Sequence, residues 1–494
     1  MESKKSAISK ENKSTSIESL FWAFLEQGGS KAVSLCVQIV LARLLDPEAF
    51  GVLAILLVVT NIADAIAQSG LGSSIVQREQ CSVSTYSTAF WLSMGVAVLL
   101  FVLMRVTSPM ISHFYGMEEL GSYLSLLSIV VFFNSANSIQ RSILQRSMDF
   151  RNLFITSTTA SLLSGAIGVA SALAGWGVWA LIVQVISQSA ITCFVMAKKL
   201  SWKPSFQFEG REAWSLFSYG WKIAATSLLN VLYTSISDLT VGRACSTTAL
   251  GYYSQGRKYP MAAITVATNA IQNVMFPSLA RKQGDHRAFV NAVKRALATG
   301  TFLVAPLALF CTASAQPIVE LLLTEKWSPC VPIFQMVCIS HSVMMLTLVN
   351  LRAYMAVGRS DLYLKLQIVK VTLSSILICG TAVFSRDIYI TSFATCLSTL
   401  FNILVIDTHY AKATFGYSAI HQIADIAPTV VLAAFSAVAS YALSFFISGP
   451  ALLLILQMVM YWAIYFVGAR LLRIEGLTDG FSIIKSIVQK GKVR

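Results

Sequence analysis

The sequence predicts an all-α integral membrane protein of about fourteen transmembrane helices: two six-helix repeats in the same orientation, followed by two C-terminal helices. Three observations carry this. Hydrophobic residues fill 55% of the 494 positions and charged residues only 12%, whereas a soluble domain is about a quarter charged. The apolar runs are long enough to cross roughly 30 Å of hydrocarbon as helices, and they lack the alternation of barrel strands. Finally, the stretch LARLLDPEAFGVLAILLVVTNIADAIAQSGLGSSIVQR at 41–78 is echoed in the second half by YTSISDLTVGRACSTTALGYYSQGRKYPMAAITVATNAIQNVMFPSLAR at 233–281, with Arg43, Ala49 and Gly51 opposite Arg243, Ala249 and Gly251. Such a duplication marks a transporter built from two like halves, whose cargo is expected to pass along the seam between them.

In chain order, residues 1–17 form a polar tail with Lys4, Lys5, Lys10 and Lys13 and no small-residue cleavage site after it, so a removable signal peptide is not expected. Thr15 and Glu18 have capping-box spacing at the start of a first helix over about 18–45. The second, about 50–71, carries Asn61, Asp64 and Gln68 on one face, which should look inward. Further helices are predicted at about 86–107, 120–141, 153–174 and 176–197, completing an N-terminal lobe over 18–197. The polar segment KKLSWKPSFQFEGREAW at 198–214 is the linker between the halves. The C-terminal lobe, 215–412, holds two helices between about 215 and 279, then helices at about 289–313, 331–355, 363–384 and 389–409. Residues 413–494 supply two extra helices, about 426–447 and 451–472, and a second tail.

Because an even number of helices separates equivalent positions, both halves must have the same orientation. Most of the 37 Lys and Arg fall in loops on the side of the N-terminal tail, which places both termini in the cytoplasm. The formal charge of +14 is thus a topological signal and needs no nucleic-acid partner. The nine cysteines and five histidines are scattered, with no metal-ligand spacing, and no phosphate loop, H-E-x-x-H or G-x-S-x-G occurs, so no cofactor, metal or catalytic site is expected.

The LARLLDPEAFG turn, the SDLTVGRACSTTALGYYSQGRKYP segment and the later FPSLARKQGD resemble the bacterial polysaccharide flippases, Wzx-like proteins of the lipopolysaccharide, colanic acid and teichuronic acid branch of the multidrug, oligosaccharidyl-lipid and polysaccharide exporter superfamily. The resemblance covers almost the whole chain. It implies a multi-pass carrier of the bacterial cytoplasmic membrane, not an enzyme, that moves undecaprenyl-pyrophosphate-linked oligosaccharide from the inner to the outer leaflet by alternating access. A coupling ion, H+ or Na+, and the membrane lipids would be its other partners. Two alternatives stay open. A cation-coupled multidrug antiporter of the same superfamily should show an acidic cavity, and a membrane polymerase or ligase should carry a sizeable outer loop.

Charged residues within spans are the candidate site, since each is costly in hydrocarbon unless paired or hydrated. Lys31 and Asp64 lie level, roughly 20 Å below the outer turn at 1.5 Å per residue. Asp238 is level with Arg257 and Lys258 nearer the outer face, so each half is expected to hold one acid–base pair, which either serves the cargo or merely neutralises itself. Glu26 is a further intramembrane acid. Lys370 has no acid obviously level with it and is expected in the cavity. Lys31, Lys222, Arg257, Lys258 and Lys370 outnumber Glu26, Asp64 and Asp238. A pyrophosphate would supply the missing counter-charge, with Lys31, Arg257, Lys258 and Lys370 as its ligands and Glu26, Asp64 and Asp238 left for pairing or ion coupling. Thr265, Asn269, Gln272 and Asn273 form a polar stripe able to meet sugar hydroxyls or to glue helices.

Overall fold

The computed structural model describes residues 2–78, 81–280, 285–474 and Gly476, with side chains from Trp22 onward apart from 24, 69, 219, 270, 273–280 and 360. Among these residues every regular element is helical. Ten helices are long and apolar enough to cross a membrane, or eleven if the bent pair Glu325–His341 and Met345–Ala356 forms one span. Three more, Glu2–Leu44, Gly210–Ala244 and Thr247–Ala280, are longer than a bilayer requires but more polar. The protein is a multi-pass helical membrane protein, and the expected fourteen spans require all three polar helices to cross as well.

Contacts divide the chain into two compact units, one ending at Gly251 and the other beginning at Tyr252. The first contains α1 (Glu2–Leu44), α2 (Pro47–Gln77), α3 (Val83–Tyr115), α4 (Glu118–Leu127), α5 (Val130–Arg146), α6 (Phe150–Leu173), α7 (Val178–Lys199), α8 (Gly210–Ala244) and the first turn of α9 (Thr247–Ala280). The second holds the rest of α9, then α10 (His286–Ala313), α11 (Ala315–Leu323), α12 (Val331–His341), α13 (Met345–Ala356), α14 (Ser360–Ser385), α15 (Ile388–Phe401), α16 (Ala411–Phe415), α17 (Ala419–Tyr441) and α18 (Pro450–Leu471).

Local sequence sets many of these starts. Pro47 and Pro450 stand in the first turns of α2 and α18, where a missing N–H is harmless. Ser82, Asp149, Asp285 and Asp387 cap α3, α6, α10 and α15 by accepting hydrogen bonds from backbone N–H groups. The side chains of Thr15 and Glu18, expected to form a capping box, lie outside the described residues. Backbone helix runs unbroken from Glu2, in keeping with the good helix formers Lys, Glu and Ala of the tail. The two helices at equivalent places in the repeats also differ from expectation, for each is broken near its middle. One splits into α4 and α5, and the other into α12 and α13 with a 43° bend.

Packing explains why the compact division falls after α8, whereas the boundary between the halves was expected at 198–214. α2 packs along α8, and on its other side against α5, while α1 packs on α6. Glycines set the α2 contacts: a Cβ on Gly70 would overlap the backbone of Gly220, and one on Gly220 that of Gly70. At the other end of α2, a Cβ on Gly51 would overlap the carbonyl of Thr247, and one on Gly251 that of Pro47. These two glycines are the repeat-equivalent pair, so the first turns of α2 and α9 meet reciprocally, backbone on backbone. The linker also belongs to this unit: Ser205 shares a 2.9 Å hydrogen bond with Ser87, its carbonyl accepts from Trp91 Nε1 at 2.8 Å, and Glu209 N donates to Thr88 at 3.1 Å.

In the second unit, buried Phe289, Val293, Leu297, Leu346, Val349, Tyr354 and Phe415 pack α10, α13 and α16 together. Asn350 and Gln422 exchange two amide hydrogen bonds, of 2.7 and 3.1 Å, between α13 and α17. Leu364, Ile368, Ile376 and Phe384 on α14, and Phe435 and Val438 on α17, are exposed. Exposed apolar stripes of this size fit a lipid surface, where hydrocarbon replaces water as the surrounding solvent.

The glycine contact yields a test. Gly51→Ala and Gly251→Ala should each cost about 1–3 kcal/mol or more, because the added methyl meets rigid backbone. The control is Gly95→Ala, whose Cβ would meet nothing within 4 Å. Thermal unfolding in detergent should show a drop for the first two and none for the third.

Candidate functional site

The first unit has an open cavity of about 810 Å³ between α2, α5 and α8, lined by Asn61, Asp64, Gln68, Gln77, Ser138, Arg141, Gln145 and Ser227 among others. Asn61, Asp64 and Gln68 all face it, as their three- and four-residue spacing requires. Asn134 Nδ2 donates to Asp64 Oδ2 at 2.7 Å. The other carboxylate oxygen, Oδ1, is buried with no hydrogen-bond partner among the described residues.

Glu26 finds a partner that the sequence did not suggest, and Asp64 lacks the one expected for it. Buried Glu26 on α1 forms an ion pair with Arg141 on α5. Asp64 does not pair with Lys31, which is exposed on α1 and makes no ion pair among the described residues. Equal depth proved insufficient because the two helices pack on different neighbours: α1 lies on α6, whereas α2 lies on α8 and α5. Depth fixes the height of a side chain, and packing fixes its neighbours.

In the second unit Lys370 has a carboxylate partner, contrary to expectation. Its Nζ lies 2.8 Å from Asp407 Oδ1, and both side chains are buried. Thr347 donates to Asp407 Oδ2 at 2.6 Å, and the Tyr354 hydroxyl donates to the Asp407 carbonyl at 2.9 Å. Ser374, one turn along from Lys370, joins Ser398 at 2.8 Å and accepts from Asn402 Nδ2 at 2.9 Å. Asp407 directly succeeds a single π-helical turn, Asn402–Ile406, whose extra residue rotates the chain beyond it. The available sequence signal was a lone Asp in the apolar run FNILVIDTHY. Its partner stands 37 positions earlier, beyond the reach of helical spacing.

The remaining candidates are distributed between the units. Asp238 lies on α8 in the first, and Arg257 and Lys258 lie on α9 in the second. Arg257 sits over the Tyr253 ring at 4.9 Å. Lys222 is exposed on α8, and Arg243, near the end of α8, sits over Phe114 at 5.3 Å. Of the polar stripe on α9, Gln272 accepts from Arg352 Nη2 at 3.1 Å, which favours a helix-joining role for it. The side chain of Asn273 lies outside the described residues. Among the described residues no group of His, Cys, Asp and Glu is arranged to hold a metal ion.

The buried Lys370–Asp407 pair can be tested directly. Asp407→Asn or Lys370→Met alone should cost about 3–5 kcal/mol by stranding a buried group, while the double change Lys370→Met with Asp407→Leu should cost much less than their sum. Unfolding of the purified variants in detergent measures this, and additive losses would mean that the pair is not coupled.

Comparison with known proteins agrees with this architecture. The succinoglycan biosynthesis transport protein ExoT of Rhizobium meliloti (strain 1021) is 22% identical over 67% of this chain and 67% of its own length. The teichuronic acid biosynthesis protein TuaB of Bacillus subtilis (strain 168) is 28% identical over 61% of this chain and 63% of its own. Among solved structures, the lipid II flippase MurJ in an inward closed conformation shares the fold, with a TM-score of 0.74 at 14% identity over 92% of this chain and 98% of that one. The profile described as "Polysaccharide biosynthesis protein" matches residues 40–332, more than half of the chain, and with its paired repeats and all-helical membrane fold the protein belongs to that family.

Proposed function

We propose that the protein is a flippase that carries undecaprenyl-pyrophosphate-linked oligosaccharide from the inner to the outer leaflet of a bacterial cytoplasmic membrane, for cell-surface polysaccharide biosynthesis. The observation that carries the proposal is the family match together with a fold like that of a lipid II flippase. The names of the transport protein for succinoglycan and of the teichuronic acid protein point the same way. Movement would be by alternating access, with the lobes 18–197 and 215–412 as the moving bodies, both termini in the cytoplasm and H+ or Na+ as coupling ion.

Within this reading Lys31, Arg257 and Lys258 are the cations assigned to the pyrophosphate. Lys370 has its own carboxylate and serves the fold of the second unit instead. Asp238 is the acid left for ion coupling. A membrane polymerase or ligase has no such support: the fold is like that of a lipid II flippase, and the relative ExoT is named a transport protein. A drug antiporter keeps two supporting observations, the carboxylate in the cavity and a fold shared with a multidrug resistance MATE family transporter at a TM-score of 0.61.

Reconstituted vesicles holding a fluorescent lipid-linked oligosaccharide test the function. Intact protein should transfer the lipid between leaflets. Arg257→Ala with Lys258→Ala should abolish transfer with membrane insertion intact, and Arg257→Lys should restore only part, because Lys gives charge without the bidentate geometry of Arg. Unchanged transfer by the doubly neutralised protein would remove these residues from the mechanism, and transfer of a drug in place of the lipid would favour the antiporter.

Orientation is tested with single cysteines in a cysteine-free background. Cysteines at Ser82 and Ser205 should resist an impermeant thiol reagent applied outside the cell, while one at Glu48 should react. The reverse pattern would invert the direction of transport.

A further inference from the structure

We infer that the cavity between α2, α5 and α8 is a saccharide-binding subsite, which takes the neutral, hydroxyl-rich part of the cargo and leaves the pyrophosphate to cations elsewhere. The inference rests on the flippase reading and gives its substrate a second point of contact. A volume of about 810 Å³ lies within the range of roughly 300–1,000 Å³ typical of small-molecule sites. The chemistry of its wall decides among occupants.

Charge argues against an anion. The one cationic group in the wall, Arg141, is already neutralised by Glu26, so Asp64 leaves the chamber net negative. A pyrophosphate would meet a like charge there, at a cost magnified by the low dielectric. The remaining polar groups suit a sugar. Asn61, Gln68 and Gln145 carry amides, which both donate and accept, and Ser138 adds a hydroxyl. Adjacent hydroxyls of a pyranose present the same alternation of donors and acceptors.

The buried Oδ1 of Asp64 is the second, independent observation. Asn134 satisfies only Oδ2, and a buried carboxylate oxygen without a donor is destabilising. A sugar O–H entering from the cavity side would donate to it. That contact has high discriminating value, since a hydrogen bond to a charged group is worth about tenfold or more in binding.

The full-length protein in proteoliposomes tests this with two probes: undecaprenyl pyrophosphate bearing a complete oligosaccharide repeat, and the same lipid bearing only its first sugar. Asp64→Asn and Gln68→Ala should each slow transfer of the oligosaccharide lipid about tenfold and leave the one-sugar lipid unchanged. Equal losses for both probes would assign these residues to ion coupling or to folding and overturn the subsite. No loss for either would overturn it too. A binding readout separates the subsite from the transport reading. In a cysteine-free background, the oligosaccharide lipid should slow maleimide labelling of Ser73→Cys at the cavity wall, while undecaprenyl pyrophosphate without sugar should not. Protection by both lipids alike, or by neither, overturns the subsite. If the intact protein moves neither lipid but only the oligosaccharide lipid protects Ser73→Cys, the flippase reading fails and the saccharide subsite stands.

Discussion

The first turns of α2 and α9 cross so closely that only glycine fits at Gly51 and Gly251, and the arrangement of the first unit depends on that contact. Helices in a membrane gain little from burying apolar surface against one another, because lipid is as apolar as leucine. Association must come from close packing and from polar contacts, and glycine lets two backbones approach until both operate. The contact is reciprocal: Gly51 meets Thr247 and Gly251 meets Pro47, residues related by the internal repeat. Duplication therefore supplied both halves of a self-matching surface. A second glycine contact, Gly70 with Gly220, continues the seam along α2 and α8 and draws α8 into the first compact unit.

Charge obeys the same economy of local partners. Glu26 with Arg141 and Lys370 with Asp407 each join two helices that are distant in sequence and bury a group that would otherwise be costly in hydrocarbon. The second pair needs a distortion to form, since a π-helical turn stands immediately before Asp407. With Arg141 held by Glu26, the polar groups that the cavity between α2, α5 and α8 offers a ligand are chiefly amides, hydroxyls and one carboxylate. Such a surface is matched to a sugar chain more closely than to a phosphate. The flippase reading thereby separates into two recognitions, one for the charged head group and one for the glycan.

Composition, apolar runs and repeat made the class of the protein legible in the sequence. They determined an all-helical membrane protein with a duplicated core, and the helix ends arose from Pro47, Ser82, Asp149, Asp285 and Asp387 through rules that act within one turn. The inward face of Asn61, Asp64 and Gln68 was equally legible, because helical spacing alone places them on one side. Tertiary structure decided everything that depends on which helix lies beside which. It gave Glu26 to Arg141 and Lys370 to Asp407, left Lys31 exposed, and assigned α8 to the first unit. A sequence records depth and periodicity along each helix, but the rotation and neighbours of that helix are set by side-chain and backbone fit among segments far apart in the chain.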